Sequence, residues 1–296
     1  MNVASKFVPA FLVLAFHSGI VLADAVSATI ETNNLINSGV LPVKADSSKS
    51  KAPMGDSDKF NLAKELANPV ANLISMPFQW EYNRGMGKNQ TGSNQTLLFQ
   101  PLIPIDLSGG DIFIVRPIIA GNRQMNVNGY SGYGMSNLTI ETFYAPYTGS
   151  SWLWGIGPYA TSPAGNSGQF GSQQTGAGVT AHLINRQDGW TYGVLGYQSW
   201  SVGGNPTFGT QNNLYAQPFV AYTTSNTWTF STNMEAQYNY DARRTTNPWY
   251  AGVSKLEVID GVPVEFSAGP MYYVNSIPGA PQGWGARAIL TFVLIK

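Results

Sequence analysis

From residue 73 onward the chain alternates between apolar and polar side chains. The plainest stretch runs from Trp228 to Tyr240. Its even positions read Trp228, Phe230, Thr232, Met234, Ala236, Tyr238 and Tyr240, and its odd positions Thr229, Ser231, Asn233, Glu235, Gln237 and Asn239. Successive side chains of a strand point to opposite faces, so one face is apolar with aromatics at both ends and the other is polar. Ile74, Met76, Phe78, Trp80 and Tyr82 repeat the device against Gln79, Glu81 and Asn83. Val264, Phe266, Ala268 and Tyr272 repeat it against Glu265, Ser267 and Asn275. These runs are longer than the roughly five or six residues of a soluble strand.

Twelve such segments follow one another: 73–84, 95–106, 111–121, 137–147, 151–161, 174–185, 189–200, 212–223, 227–240, 248–259, 262–275 and 284–296. The gaps between them alternate in length. Long ones fall at 85–94, 122–136, 162–173, 201–211, 241–247 and 276–283. Short ones fall at Leu107 to Gly110, Thr148 to Ser150, Arg186 to Asp188, Thr224 to Asn226 and Asp260-Gly261, the last a type I′ hairpin signal. Tight turns alternating with longer loops are the plan of a membrane barrel, with the turns periplasmic and the loops outside. An even strand count returns both termini to the periplasmic side. The expected fold is therefore all-β, an antiparallel transmembrane β-barrel of about 12 strands with a short N-terminal helix. Pro101, Pro104, Pro117, Pro158 and Pro218 fall inside segments and are expected to mark bulges, because proline removes a ladder donor.

The residues before 73 read differently. Lys6, the apolar run Phe7 to Phe16 and Ala23-Asp24-Ala25 have the layout of an export signal over 1–25, cut after Ala23 or Ala25. No stretch of 18 apolar residues follows, so no spanning helix is expected. Residues 26–72 read as a flexible periplasmic segment carrying a short helix over 58–68, with Asp58 as N-cap, Leu62, Ala63, Leu66 and Ala67 at helical spacing, and Asn68-Pro69 as the stop. That helix lies under the barrel mouth, enters the barrel as a plug, or simply leads into the first strand. The barrel itself takes 73–296.

Composition narrows the class. Charged residues make up 11% of the chain against roughly 25% in soluble domains, while aromatics reach 12% and glycines number 32. Low charge at a hydropathy near zero suits one lipid face and one wet face, not a helical membrane protein. There are no cysteines, so neither disulfides nor thiolate metal sites arise, and the zero net charge gives no reason to expect nucleic acid as a partner.

The stretch Leu62-Ala63-Lys64-Glu65-Leu66-Ala67-Asn68-Pro69-Val70-Ala71-Asn72-Leu73-Ile74-Ser75-Met76-Pro77-Phe78-Gln79 resembles the opening of a family of bacterial outer-membrane proteins. Its members are labelled simply transporter, or carry the misleading name neuromedin U. Leu98-Phe99-Gln100-Pro101-Leu102-Ile103-Pro104 and the ending Thr291-Phe292-Val293-Leu294-Ile295-Lys296 are similar to it too. A more distant resemblance is to the barrel family of the meta pathway of phenol degradation. The resemblance covers about 60 to 296 and implies a barrel in the outer membrane of a Gram-negative bacterium. It carries over no catalytic or binding residue. The chain departs from the usual aromatic barrel ending by closing on Lys296.

The polar face supplies the candidate chemistry. Glu81, Gln100, Arg116, Glu141, His182, Glu235, Gln237, Lys255, Glu257, Glu265 and Arg287 are expected to line the lumen, five carboxylates against three fixed cations. They can pair across the lumen, touch a solute, or both. Arg84, Lys88, Arg123, Arg243 and Arg244, against Asp241, give the outer loops a basic bias that could steer anions or meet lipopolysaccharide phosphates. Serine chemistry needs a histidine partner, and residues after the signal include only His182, with no Gly-x-Ser-x-Gly elbow. The expectation is an outer-membrane channel or facilitated-diffusion porin for small solutes, with outer-membrane lipid and lipopolysaccharide as neighbours and no cofactor or metal. The alternatives are a non-conducting structural barrel and a barrel-embedded lipid-modifying enzyme.

Overall fold

A computed structural model describes residues 54–164, 168–205, 207 and 210–294. The export signal expected over 1–25 and the polar stretch up to residue 53 lie outside the described residues. The described chain opens with a helix, α1 (Asp56–Leu66). Twelve barrel strands follow: β1 (Ile74–Met86), β2 in two pieces (Gly92–Phe99 and Ile103–Asp106) and β3 (Ile112–Val127). Then come β4, also in two pieces (Tyr130–Met135 and Leu138–Ala145), β5 (Trp152–Ser162), β6 (Gln174–Gln187) and β7 (Trp190–Gly204). β8 (Asn212–Thr223), the split β9 (Trp228–Met234 and Ala236–Asn239), β10 (Arg244–Ile259), β11 (Val262–Asn275) and β12 (Gly283–Leu294) complete the set.

Each strand pairs antiparallel with its sequence neighbour, and β12 returns to β1 along Ile74↔Leu294 through Tyr82↔Ala286. The sheet is closed. Closure matters because a strand edge facing hydrocarbon would leave every second backbone N–H and C=O without water or a partner, at several kcal/mol each. The outward positions are large and apolar, among them Trp80, Leu97, Ile140, Ile156, Phe230 and Phe266, all exposed. A continuous apolar band of this size around a soluble protein would drive association; around a barrel it meets lipid.

The turn end and the loop end differ as the sequence pattern predicts. Asp260-Gly261 joins β10 to β11 with φ of 50° and 81°, both in the left-handed region that a type I′ turn demands. At the turn between β2 and β3, Asp111 accepts hydrogen bonds from the Tyr144 hydroxyl and from the Tyr147 N–H at 2.9 Å. Those two donors hold its carboxyl below the usual carboxylate range.

The expected loops over 122–136 and 241–247 are largely strand instead. β3 and β4 run on to a two-residue Asn128-Gly129 turn, with φ of 54° and 82°, and β10 begins at Arg244. Above the membrane both faces of a hairpin are wet, so the ladder continues while the apolar–polar alternation that reveals it fades. The proline expectation is corrected too. Pro101 does fall in the break between the pieces of β2, but Pro104, Pro117, Pro158 and Pro218 sit in ladders with no register shift. The shifts occur at Arg84/Met86, Gln124/Val127, Thr175/Gly176 and Asn247/Pro248.

The helix starts earlier than its pattern suggests. Its N-cap is Gly55, not Asp58, and Asp58 lies in the first turn beside Asp56, where carboxylates suit the positive end of the helix dipole. Spin labels placed singly along 228–233 test the register. Labels at 228, 230 and 232 are expected to be relaxed by oxygen dissolved in lipid, and labels at 229, 231 and 233 by a water-soluble nickel chelate. Uniform relaxation along the run would contradict the two-faced strand.

Candidate functional site

Strand alternation brings a belt of polar side chains together across the inner wall at mid-height. The Arg287 guanidinium, on β12 and 4% exposed, lies between two carboxylates. It meets Glu81 of β1 at 2.6 Å and Glu235, between the two pieces of β9, at 2.7 Å, and its plane rests over the Tyr250 ring at 4.9 Å. From Glu81 the belt continues by amides. Gln79 Nε2 donates to Glu81 Oε1 at 2.7 Å, Gln100 Nε2 to Gln79 Oε1 at 3.2 Å, and Arg116 Nη2 to Gln100 Oε1 at 2.7 Å. Arg116 Nη1 then pairs with Glu141 of β4 at 3.4 Å. On the facing wall Tyr159 of β5, Tyr197 of β7 and Tyr215 of β8 stack at centroid distances of 4.3 and 5.0 Å, and the Tyr215 hydroxyl donates to Gln217 at 3.2 Å.

These residues surround a cavity of about 470 Å³. Its lining holds Glu81, Glu141, Glu235 and Glu265 against Arg116 and Arg287, four carboxyl groups facing two guanidiniums. Glu265 accepts a hydrogen bond from the Ser254 hydroxyl at 2.9 Å and has no ion pair among the described residues. The N-terminal segment forms the floor. Leu66, Ala67, Asn68, Pro69 and Ala71 line the cavity, and Val70 packs with Leu102, Ile114, Phe143 and Ile184 at the turn end of the barrel. An ion pair between Glu65 and Arg186 ties the helix to the wall, and Glu65 Oε1 accepts the Asn72 N–H at 3.3 Å. The helix leads on into β1, and the segment that follows it, 66–71, floors the cavity at the turn end.

The structure places seven of the expected lumen residues on this cavity: Glu81, Gln100, Arg116, Glu141, Glu235, Glu265 and Arg287. His182 faces inward but packs on Phe143, ring centroids 5.1 Å apart, in space left by the missing side chain of Gly155. Gln237 stands opposite Tyr215 and is exposed outside the cavity lining. Lys255 and Glu257 correct the expectation. They share a face with Trp228, Phe266 and Val264, which is the outer one, at the turn end. Lys255 Nζ lies over the Trp228 ring at 5.5 Å and donates to the Asn226 carbonyl at 2.6 Å, and it pairs with Glu257 at 3.4 Å. A long cationic side chain near the interface can reach water from the lipid face, so charge alone does not assign a residue to the lumen.

The tyrosine column escaped sequence reading, since tyrosine serves equally in an outer aromatic girdle. Only strict parity with buried Leu195 and Ser199 would have placed Tyr197 inside. Of the basic loop residues, Arg84 and Arg123 extend from strands with outward parity, Lys88 and Arg243 lie in turns, and Arg244 opens β10.

A closed apolar-belted barrel with a polar, partly plugged interior defines a transmembrane β-barrel. No family model and no curated protein sequence matches the chain. Among solved structures its fold is similar to that of an outer-membrane channel from Pseudomonas putida F1, with a TM-score of 0.60 over 77% of this chain and 97% of that one, at 11% identity. More loosely similar are the NanC porin (TM-score 0.48, 9% identity, 75% of this chain and 100% of that one) and outer membrane phospholipase A from Escherichia coli (0.41, 10%, 75% and 98%). At 11% identity the likeness to the Pseudomonas channel shows a shared barrel fold.

Breaking the belt at its centre tests its structural weight. Arg287→Met leaves the half-buried Glu81 and Glu235 without a cation, and removal of one partner of such a network costs up to about 3–5 kcal/mol. The unfolding midpoint in urea should fall accordingly, and Glu81→Gln with Glu235→Gln added to Arg287→Met should restore much of it. A midpoint unmoved by Arg287→Met would show that the triad carries no stability.

Proposed function

We propose that the protein is a diffusion channel for small polar solutes in the outer membrane of a Gram-negative bacterium, of the transporter or neuromedin U-like kind its sequence resembles. The observation that carries this reading is the polar cavity inside a closed barrel, walled by arginine, carboxylate, amide and tyrosine side chains. A barrel of eight strands is filled by its own side chains and one of sixteen holds an aqueous channel. Twelve strands give an interior in which a belt of long side chains leaves space for solute without filling it.

On this reading residues 1–25 direct export, 26–72 form a periplasmic segment whose last part seats in the barrel, and 73–296 form the channel. Glu81, Gln100, Arg116, Glu141, Glu235, Glu265 and Arg287 touch the passing solute. The outer band meets outer-membrane lipid, including lipopolysaccharide in the outer leaflet. No catalytic role, cofactor or metal enters this reading: Glu81, Glu141, Glu235, Arg116 and Arg287 are bonded within the belt, and Glu265 takes the Ser254 hydroxyl with no histidine paired to it among the described residues. The excess of carboxyl groups over guanidiniums in the lining favours cations, and the segment 66–71 at the floor sets how often the path is open.

Planar-bilayer recordings of the refolded mature protein test both parts. Discrete current steps are expected, with a reversal potential on the cation-selective side in a salt gradient. Glu65→Gln with Arg186→Gln unties the helix and should lengthen the open periods severalfold. A folded barrel silent in both forms would overturn the channel reading, while steps selective for anions would overturn only the role given to the lumen charges.

A further inference from the structure

Outside the lumen, the outer surface of β1 to β4 changes character in successive rows toward the loop end. Phe78, Phe99 and Ile119 lie side by side in the ladders, followed by Trp80, Leu97, Gly121 and Met135. The next row is Tyr82, Gln95, Arg123 and Tyr133, and the one after it brings Arg84, Ser93 and Met125. Hydrocarbon-type rows thus give way within two steps to tyrosines with arginines among them. Tyrosine marks the boundary between acyl chains and headgroups. Arg123 and Arg84 therefore stand at headgroup height and point to lipid, not into the pore mouth. Lys88 lies just beyond, in the β1–β2 loop, whose backbone N–H donates to Asn128 Oδ1 of the β3–β4 turn at 2.7 Å. That bond holds the two hairpins side by side.

The charge of this sector is one-sided. Neither 84–95 nor 119–136 contains an aspartate or glutamate. Arg84, Lys88 and Arg123 are exposed and make no ion pair among the described residues. The Arg123 guanidinium is held over the Tyr133 ring at 5.5 Å, which orients it while leaving its N–H groups free. The loops over 162–173 and 276–282 carry no charge at all, so the other cations of the rim are Arg243 and Arg244, beside Asp241.

From this arrangement we infer that the β1–β4 sector is a binding site for the phosphate groups of a phosphorylated glycolipid of the outer leaflet. Arg84 and Arg123 offer forked donors to phosphate oxygens, Lys88 adds a point charge from the loop, and Gln95 and Ser93 supply neutral donors between them. The rows of Trp80, Leu97 and Met135, with the gap at Gly121, receive the acyl chains beneath. A lipid, not a soluble anion, is the occupant because the cations sit on the lipid side of the wall directly above an apolar surface.

The test uses the full mature protein folded in detergent micelles, with native mass spectrometry reading retention of bisphosphorylated lipid A against dephosphorylated lipid A. Wild type should retain the phosphorylated form at least about tenfold more strongly, since three cations face its phosphates. Arg84→Gln with Lys88→Gln and Arg123→Gln should abolish that preference, and Arg84→Gln alone should reduce it. Lys255→Gln, which removes a cation from the opposite rim, should leave it intact. Equal retention by the triple variant and wild type overturns the site, as does failure of wild type to distinguish the two lipids. Displacement of lipid A by millimolar inorganic phosphate would assign the cations to a soluble anion and overturn the lipid assignment. None of these readouts depends on whether the barrel conducts.

Discussion

The hydrogen-bonded seam between β1 and β12 is the interaction on which the rest of the structure depends. Nine residue pairs from Ile74↔Leu294 to Tyr82↔Ala286 close the sheet. Hydrocarbon offers no partner to a free N–H or C=O, so an open twelve-stranded sheet could not sit in a membrane. Once the seam is formed, every strand has an inside and an outside, and parity distributes the side chains. Trp80 goes to lipid and Glu81 to the lumen because they are neighbours on a closed wall. The seam also brings Arg287 of β12 beside Glu81 of β1, residues separated by most of the chain.

Inside, the low charge content of the chain is concentrated where it is most costly to leave unpaired. A guanidinium buried as deeply as that of Arg287 is tolerated because two carboxylates and a tyrosine face surround it. The amide relay through Gln79 and Gln100 extends that order to Arg116 and Glu141, so the belt behaves as one connected network. It stiffens the inner wall and sets the charge seen by anything entering the cavity. The floor is supplied by a segment that precedes the barrel in sequence. Burial of Val70 among Leu102, Ile114, Phe143 and Ile184 gives that segment an apolar seat, and Glu65 with Arg186 gives it a polar latch.

Much of this was visible in the sequence because a membrane barrel imposes a simple rule on each strand. The twelve segments stand where alternation put them, since between the interfaces one face must be apolar. The rule lapses where the constraint lapses. Residues 122–136 continue as a hairpin above the membrane, where water lies on both sides and nothing enforces a period of two. Lys255 and Glu257 look like lumen residues by charge, yet at the turn-end interface a charged side chain on the lipid face reaches water and the Asn226 carbonyl. The three stacked tyrosines carry no polarity label that separates lumen from girdle. That 66–71 floors the cavity was not legible, because the burial of Val70 depends on side chains of β2, β3, β4 and β6 that meet only after closure.

Closure is the central claim, and cross-linking tests it most directly. Gln79 and Ile289 are Cα partners across the seam and both face the cavity. With Gln79→Cys and Ile289→Cys in the folded protein, mild oxidation should join the two positions within one chain. A folded protein that forms no such link, or that links position 289 to a second chain, would contradict a barrel closed between β1 and β12.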